Sequence, residues 1–306
     1  MTEQPDPSTS QLRQLAQAAL DQQGIAVRRL RWMGEHSNHL FCADTADGDR
    51  LVVRVCLPGS RSDAELDAEL AWLAALARDT DLTVPVARFS TRLATPQLPG
   101  GGRCIGFGWV EGRHCEKRPS RRLTANLGRV LATVHAHGRR FRLPAGCTRP
   151  TLDIGRLTWA GTWEATLLAR RRIDPATRRL LARVADRVQA TLADLGTAPP
   201  AFGLVHGDLH LGNVLDDHGQ ARPLDFDDAC FGHYAMDLAI TVDSLPEPLW
   251  PVLLNSYQTI QHLPDGYQEH QATLLAGRRL FLATFLLAAR LPADGHLQLL
   301  RAYAER

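Results

Sequence analysis

Long apolar runs are missing from this chain of 306 residues. Its most apolar late stretch, LFLATFLLAARL at 280–291, is bracketed by Arg278, Arg279 and Arg290 and falls well short of the roughly 20 apolar residues that a bilayer-spanning helix requires. It reads as a buried helix, and no membrane partner is expected. Cysteine pairing is missing as well. Cys42, Cys56, Cys104, Cys115, Cys147 and Cys230 share no CxxC spacing and no repeated interval, which argues against a disulfide framework and for reduced thiols. The opening MTEQPDPSTS has neither a basic n-region nor an apolar h-region, so export through a signal peptide is not expected and the sequence points to the cytoplasm. No internal repeat is visible.

What is present is ordinary globular material, 44% hydrophobic and 22% charged, enough to bury a sizeable core. The length exceeds one average domain and is short for two independent ones, so two lobes sharing a cleft are expected. A net charge of +2 hides an asymmetry: residues 101–190 hold 19 Arg and Lys against 6 Asp and Glu, whereas 191–306 hold 6 against 14. The basic stretch reads either as a solvated arginine face or as a surface that attracts a phosphorylated, acidic or protein partner. Nucleic acid is not an expected partner, and the oligomeric state is not readable.

Residues 1–10 read as a disordered polar tail. A helix is expected from about Leu12 to Asp21 with Ser10 as its cap. Strands are expected at Val27–Met33, His39–Ala43 and Arg50–Val55, the last two joined by the turn Asp47-Gly48-Asp49. A further helix starts at Ser62, where Ser62 and Glu65 form a capping-box pattern and Leu66, Leu70, Leu73 and Ala77 recur at helical spacing. Glu69 lies beside that apolar stripe and needs a partner. The strand at 51–55 turns Val53 and Val55 to one face and Val52 with Arg54 to the other, which makes an Arg54–Glu69 ion pair the natural pairing. Thr95–Gly102, rich in Pro and Gly, reads as a loop, and Cys104–Val110 as a strand. Beyond it the pattern is mainly helical: Thr124–His137 with Gly138 as a stop, 160–195, and 248–304 in pieces. The exception is a short hairpin at 214–226.

HGDLHLGNVL at 206–215, followed by LDFDD at 224–228, carries the chemistry. Asp208 stands five residues before Asn213, and Asp225 twelve after it. A carboxylate near an incoming hydroxyl, with an amide oxygen and a second carboxylate gripping magnesium, is what moving a γ-phosphoryl group requires. Asp208 is the candidate catalytic carboxylate. Asn213, Asp225 and Asp227 are candidate magnesium ligands, and Asp228 thickens the cluster, since four converging carboxylates need a cation. Two other readings stand beside this one. HGDLH is a polar turn, or His206, Asp208 and His210 are transition-metal ligands of a metallohydrolase.

HGDLHLGNVL with LDFDDACFGHYAMDLA resembles the aminoglycoside phosphotransferase and choline kinase-like superfamily, small-molecule relatives of the protein kinases. ELAWLAALARDTDLTVP at 69–85 and FDDACFGHYAMDLA at 226–239 look closer to a bacterial branch holding the stress response kinase A and homoserine kinase-like proteins. The likeness runs from about Leu30 to Leu300. It implies an α+β, bilobal protein kinase-like fold: a small β-rich N-lobe over 11–108 that binds nucleotide, and a larger, mainly helical C-lobe over 109–306 with a catalytic hairpin and the acceptor site. ATP and Mg2+ are the implied cofactors. The loop Gly34-Glu35-His36-Ser37-Asn38, which is no GxGxxG, would cover the ATP phosphates. Arg54 would hold the α and β phosphates with Glu69 as its helix partner, and Phe107–Glu111 would be the hinge for adenine. Gly34, Ser37, Asn38, Val52, Arg54, Glu69 and Trp109 are thus the implied nucleotide-binding positions, with His206 and Asp237 as scaffold.

Arg54 departs from the commonest kinase pattern. Its planar fork replaces a compact ammonium. Either the branch accommodates the fork, or the protein binds nucleotide without turning it over, as a pseudokinase-like module. The implied acceptor is a hydroxyl on a protein Ser or Thr or on a small metabolite such as homoserine or an amino alcohol. Aminoglycosides are polycations and fit a basic 111–190 region poorly. Trp159 and Trp163 read as a cage for a quaternary ammonium or, four apart, as a helix packing pair. His135, near the apolar face of its helix, reads as buried and hydrogen-bonded, and Cys230 as a small core residue.

Overall fold

A computed structural model describes residues 7–35, 39–95, 98–115, 118–158, 173–289 and 291–305. Ser37, Asn38, Trp159, Trp163, the expected helix before residue 173 and tail residues 1–6 lie outside the described residues. The chain divides into two units, one running to Glu111 and taking in Leu143–Thr148, the other comprising Gly112–Arg142 and Arg149–Arg306.

In the first unit, α1 (Thr9–Gln22) begins earlier than expected because Ser8, not Ser10, caps it. Ser8 Oγ accepts the Gln11 N–H at 3.3 Å while Gln11 Oε1 accepts the Ser8 N–H at 2.8 Å, a reciprocal box that satisfies two orphan donors at once. Ser10 has no such partner three residues on. The apolar face of α1, Leu12, Leu15, Ala16, Ala19 and Leu20, packs on Phe41, Val53, Val55, Leu93 and Cys104. These belong to an antiparallel sheet ordered β1-β2-β3-β5-β4, formed by β1 (Val27–Glu35), β2 (His39–Thr45), β3 (Arg50–Cys56), β4 (Ala87–Thr95) and β5 (Leu98–Gly108). Strand alternation does the sorting: Val53 and Val55 enter this core, and Arg54 points to the other face. There α2 (Asp63–Asp79) presents Glu69, its start set by the expected Ser62–Glu65 capping box.

The expected loop Thr95–Gly102 is instead largely strand. Leu93 pairs with Gly102 and Thr95 with Leu98, with a register shift between Leu93 and Thr95. Glycines give a pattern reading no side chain to alternate, yet their amide groups still complete the ladder.

The second unit contains β6 (Arg113–His114), α3 (Arg121–Arg140), α4 (Ile154–Leu157), α5 (Pro175–Leu195), β7 (Phe202–Val205), β8 (Val214–Asp217), β9 (Gln220–Pro223), β10 (Cys230–His233), α6 (Tyr234–Asp243), α7 (Trp250–Tyr257), α8 (Tyr267–Ala288) and α9 (Asp294–Ala304). Helix α3 does not stop at Gly138. A Cβ there would lie 2.1 Å from the Leu204 carbonyl oxygen, so this glycine permits close approach of β7 rather than ending the helix. The expected hairpin is β8–β9, extended by β6, and β10 pairs with β7, setting Cys230 opposite Val205. This α+β architecture, an antiparallel sheet followed by a mainly helical region, is the protein kinase-like fold. Among the described residues no helix is long and apolar enough to cross a membrane.

Candidate active site

Strand β7 delivers the chain into His206-Gly207-Asp208. Gly207 sits at φ +84°, and a Cβ there would lie 2.4 Å from the Asp228 carbonyl oxygen, so glycine alone fits this turn. Asp237 of α6, fully buried, fastens it. One of its carboxylate oxygens accepts the Gly207 N–H at 2.8 Å and the other accepts the His206 N–H at 3.2 Å. His135 Nε2 lies 2.9 Å from the second oxygen, and His135 Nδ1 lies 2.8 Å from the Tyr257 hydroxyl. Gln261 donates to that hydroxyl at 2.6 Å. The Tyr257 O–H therefore donates to Nδ1 and the His135 Nε2–H to the carboxylate, which gives every donor an acceptor with His135 neutral. Burial pushes this imidazole below its ordinary range, against the opposing pull of Asp237. Asp237→Ala strands two buried donors and a part-buried one, each buried donor worth about 1–3 kcal/mol when unpaired. We expect a loss of about 3–5 kcal/mol in urea unfolding; a loss under about 1 kcal/mol would show that the turn holds without its brace.

His206 is fully buried. Its Nδ1 accepts the Asp208 N–H at 3.3 Å and its Nε2–H donates to the Leu224 carbonyl at 2.9 Å. Both ring nitrogens are committed, and burial holds the ring below its ordinary range, so it stays neutral. The metallohydrolase reading fails here, because His206 has no lone pair left for a metal. His210 likewise spends Nδ1 on the Gly212 N–H at 3.0 Å and turns Nε2 toward Asp208, 3.5 Å away.

Asp208 is largely enclosed, with 23% of its side chain exposed. Asn213, at the end of the 3-10 turn Leu211–Asn213, donates its amide N–H to the Asp208 carbonyl at 3.0 Å and reaches the Asp208 carboxylate at 3.4 Å. This fixes which way the Asn213 amide faces. Arg278 Nη2 of α8 stands 2.8 Å from Asp208 Oδ1. That oxygen receives no aligned hydrogen bond, so the contact is charge on charge. Burial alone raises the Asp208 pKa, but the hydrogen bond from His210 and the charge of Arg278 outweigh it and hold the carboxyl below its ordinary range. It is a carboxylate held ionised and able to accept.

Asp225 adopts left-handed backbone geometry, φ 56° and ψ 64°, a conformation costly for a residue with a side chain and found where surroundings enforce it. The short turn Phe226–Asp228 follows. Arg149 is buried beneath it and donates to the carbonyls of Ala229, Asp227 and, at 3.4 Å, Phe226. Asp228 pairs with Arg156 at 2.8 Å, and Asp227 is buried. Among the described residues no group of three or more His, Cys, Asp or Glu side chains is placed to hold a metal ion. The expected convergence of four carboxylates is not seen among the described residues: Asp208 faces Arg278 and Asp228 faces Arg156. Cys230, beside them, is a buried core residue whose thiol burial pushes up to about 12, beyond easy ionisation.

In the first unit Arg54 and Glu69 form the expected pair, bidentate at 3.0 and 2.7 Å, with 3% and 2% exposure. The Arg54 guanidinium also lies 5.1 Å from the centre of the Phe107 ring. Val52, half-buried, is two residues away on the same strand face, and Gly34 pairs with Leu40 at the end of β1. Trp109 is placed differently. Its indole lies under the Arg50 guanidinium at 4.6 Å, in an open polar pocket lined also by Arg28, Asp44, Arg88 and Glu111 that includes neither Arg54 nor Glu69.

The phosphotransferase enzyme family (APH) matches residues 9–272. The chain belongs to this family. A relative, amicoumacin kinase of Bacillus subtilis (strain 168), is 25% identical over 275 residues, 83% of this chain and 75% of its own length. Among solved structures, the microcompartment-associated aminopropanol kinase superposes with a TM-score of 0.75 at 23% identity, covering 95% of this chain and 94% of its own. The amicoumacin kinase hAmiN, in complex with AMP-PNP, Ca2+ and Ami, gives 0.77 at 17% identity, covering 97% and 94%. As a phosphotransferase of this family, the chain shares the kinase-like fold of these neighbours.

Sequence reasoning passed over Arg278, which the phosphotransferase fold brings onto Asp208. A signal was there: Leu274, Leu275, Ala276, Gly277 and Leu280 are the buried face of α8, and Arg278 lies within it at 7% exposure. A charge on such a face demands a partner. Tyr257 and Gln261 were missed because nothing local ties them to His135.

Proposed function

We propose that this phosphotransferase moves the γ-phosphoryl group of Mg-ATP to a hydroxyl of a small molecule. The observation that carries the reading is Asp208, held ionised and enclosed, with Asn213 anchored to it. Asp208 accepts or orients the proton of the acceptor hydroxyl. Asn213 and Asp225 are the residues that would hold magnesium: anchoring of the Asn213 amide N–H leaves its oxygen available, and amide and carboxylate oxygens suit this hard cation, which keeps water and phosphate as further ligands. The metal would neutralise charge on the phosphates. Arg54, locked by Glu69, would position the α and β phosphates, with Gly34, Ser37, Asn38 and Val52 about the nucleotide. This assigns nucleotide binding to 11–108 and catalysis and acceptor binding to 109–306. Kinases acting on aminopropanol and amicoumacin among the similar proteins favour a small acceptor over a protein.

The test is transfer from γ-labelled Mg-ATP into a cell extract separated into protein and small-molecule fractions, with wild type and Asp208→Ala compared. Asp208-dependent label in small molecules is expected. Label confined to protein would transfer the proposal to a protein hydroxyl, and ATP binding with no Asp208-dependent label would favour a silent nucleotide-binding module.

A further inference from the structure

The Arg278–Asp208 contact asks more of the acceptor than a hydroxyl. A guanidinium carries five N–H donors in a planar fork. Among the described residues the ion pair with Asp208 at 2.8 Å is the one hydrogen-bond-range contact of Arg278; its guanidinium also lies 5.3 Å from the centre of the Phe281 ring and close to His296. A buried arginine with most of its donors unspent is an incomplete site.

The surrounding charges point the same way. Asp243 is paired with Arg279 at 3.0 Å and Asp228 with Arg156 at 2.8 Å, so these two carboxylates already have cationic partners. The Arg278 fork matches a carboxylate bidentately. We propose that Arg278 is an acceptor-recognition residue, and that the acceptor is a small hydroxy acid whose carboxylate sits on Arg278 while its hydroxyl meets Asp208. This rests on the phosphotransferase reading above and names its substrate class. The hydroxyl oxygen forms a bond to the γ-phosphorus, the bond from that phosphorus to the bridging β–γ oxygen breaks, ADP leaves with that electron pair, and the hydroxyl proton passes to Asp208 and on to solvent.

The experiment uses matched acceptors that differ by the carboxylate: serine against ethanolamine, threonine against 1-amino-2-propanol, homoserine against 3-amino-1-propanol. ADP release gives kcat and KM for each, and calorimetry with Mg-AMP-PNP gives binding. In wild type at least one hydroxy acid is expected to exceed its partner by about 10²-fold in kcat/KM. Arg278→Gln should abolish the preference, mainly through KM, and Arg278→Lys should restore part of it, since the charge returns without the fork. Asp208→Ala should bind the hydroxy acid more tightly than wild type, because Arg278 loses its internal competitor; a merely structural Arg278 would not produce that gain. Asp208-dependent turnover that favours the amino alcohols, or a preference unchanged in folded Arg278→Gln and Arg278→Lys, overturns the assignment and leaves the phosphotransferase reading standing. Neither binding nor turnover of any hydroxy acid also overturns it. Loss of Asp208-dependent transfer to every extract acceptor strikes the reading beneath.

Discussion

Asp208→Ala is expected to lower kcat at least about 10²-fold while the dissociation constant for ATP stays within about twofold, because the role proposed for this carboxylate belongs to the chemical step. The side chain touches Asn213, His210 and Arg278, all in the second unit, so its removal leaves the Arg54–Glu69 pair intact. Asp208→Asn separates charge from shape. The amide can still meet Asn213, but it cannot take a proton and no longer balances Arg278. We expect it to be as inactive as alanine. An asparagine variant that retained more than about a tenth of wild-type kcat would mean that Asp208 only orients the hydroxyl through hydrogen bonds, and the general-base role would have to be given up. Stopped-flow nucleotide binding beside steady-state turnover makes the comparison.

Much of this arrangement is legible in sequence because it is local. HGDLHLGN places Asp208 and Asn213 within one turn, and the hairpin β8–β9 returns the chain to Asp225 with a short connection. The Arg54–Glu69 pair was also readable, since strand alternation and helix periodicity each left one charge facing inward. What was not legible depends on contacts distant in sequence. His135, Tyr257 and Gln261 meet Asp237 only after α3, α6 and α7 pack, and Arg278 reaches Asp208 from seventy residues on. The Gly-rich half of β5 failed for a different reason: backbone pairing needs no side-chain pattern. The pairing of Asp228 with Arg156 was not legible either, because the two lie 72 residues apart.

Arg54→Ala should destabilise the protein by about 3–5 kcal/mol, the usual cost of leaving one buried charge without its partner. Glu69 is 2% exposed, so solvent cannot replace the two guanidinium N–H groups it accepts. Glu69→Gln should cost less, because the amide oxygen still accepts one of them. The decisive variant is the double Arg54→Met, Glu69→Leu, which replaces the pair by apolar groups of similar volume. Buried ion pairs repay their desolvation poorly, and such exchanges are often neutral or stabilising. We therefore expect urea unfolding of the double variant to return to within about 1 kcal/mol of wild type, with turnover still at least about 10²-fold down if Arg54 positions phosphate. Recovery of activity together with stability would show that the pair only props α2 against β3, and would return the phosphates to other residues. Stability regained without activity would place Arg54 in the reaction itself.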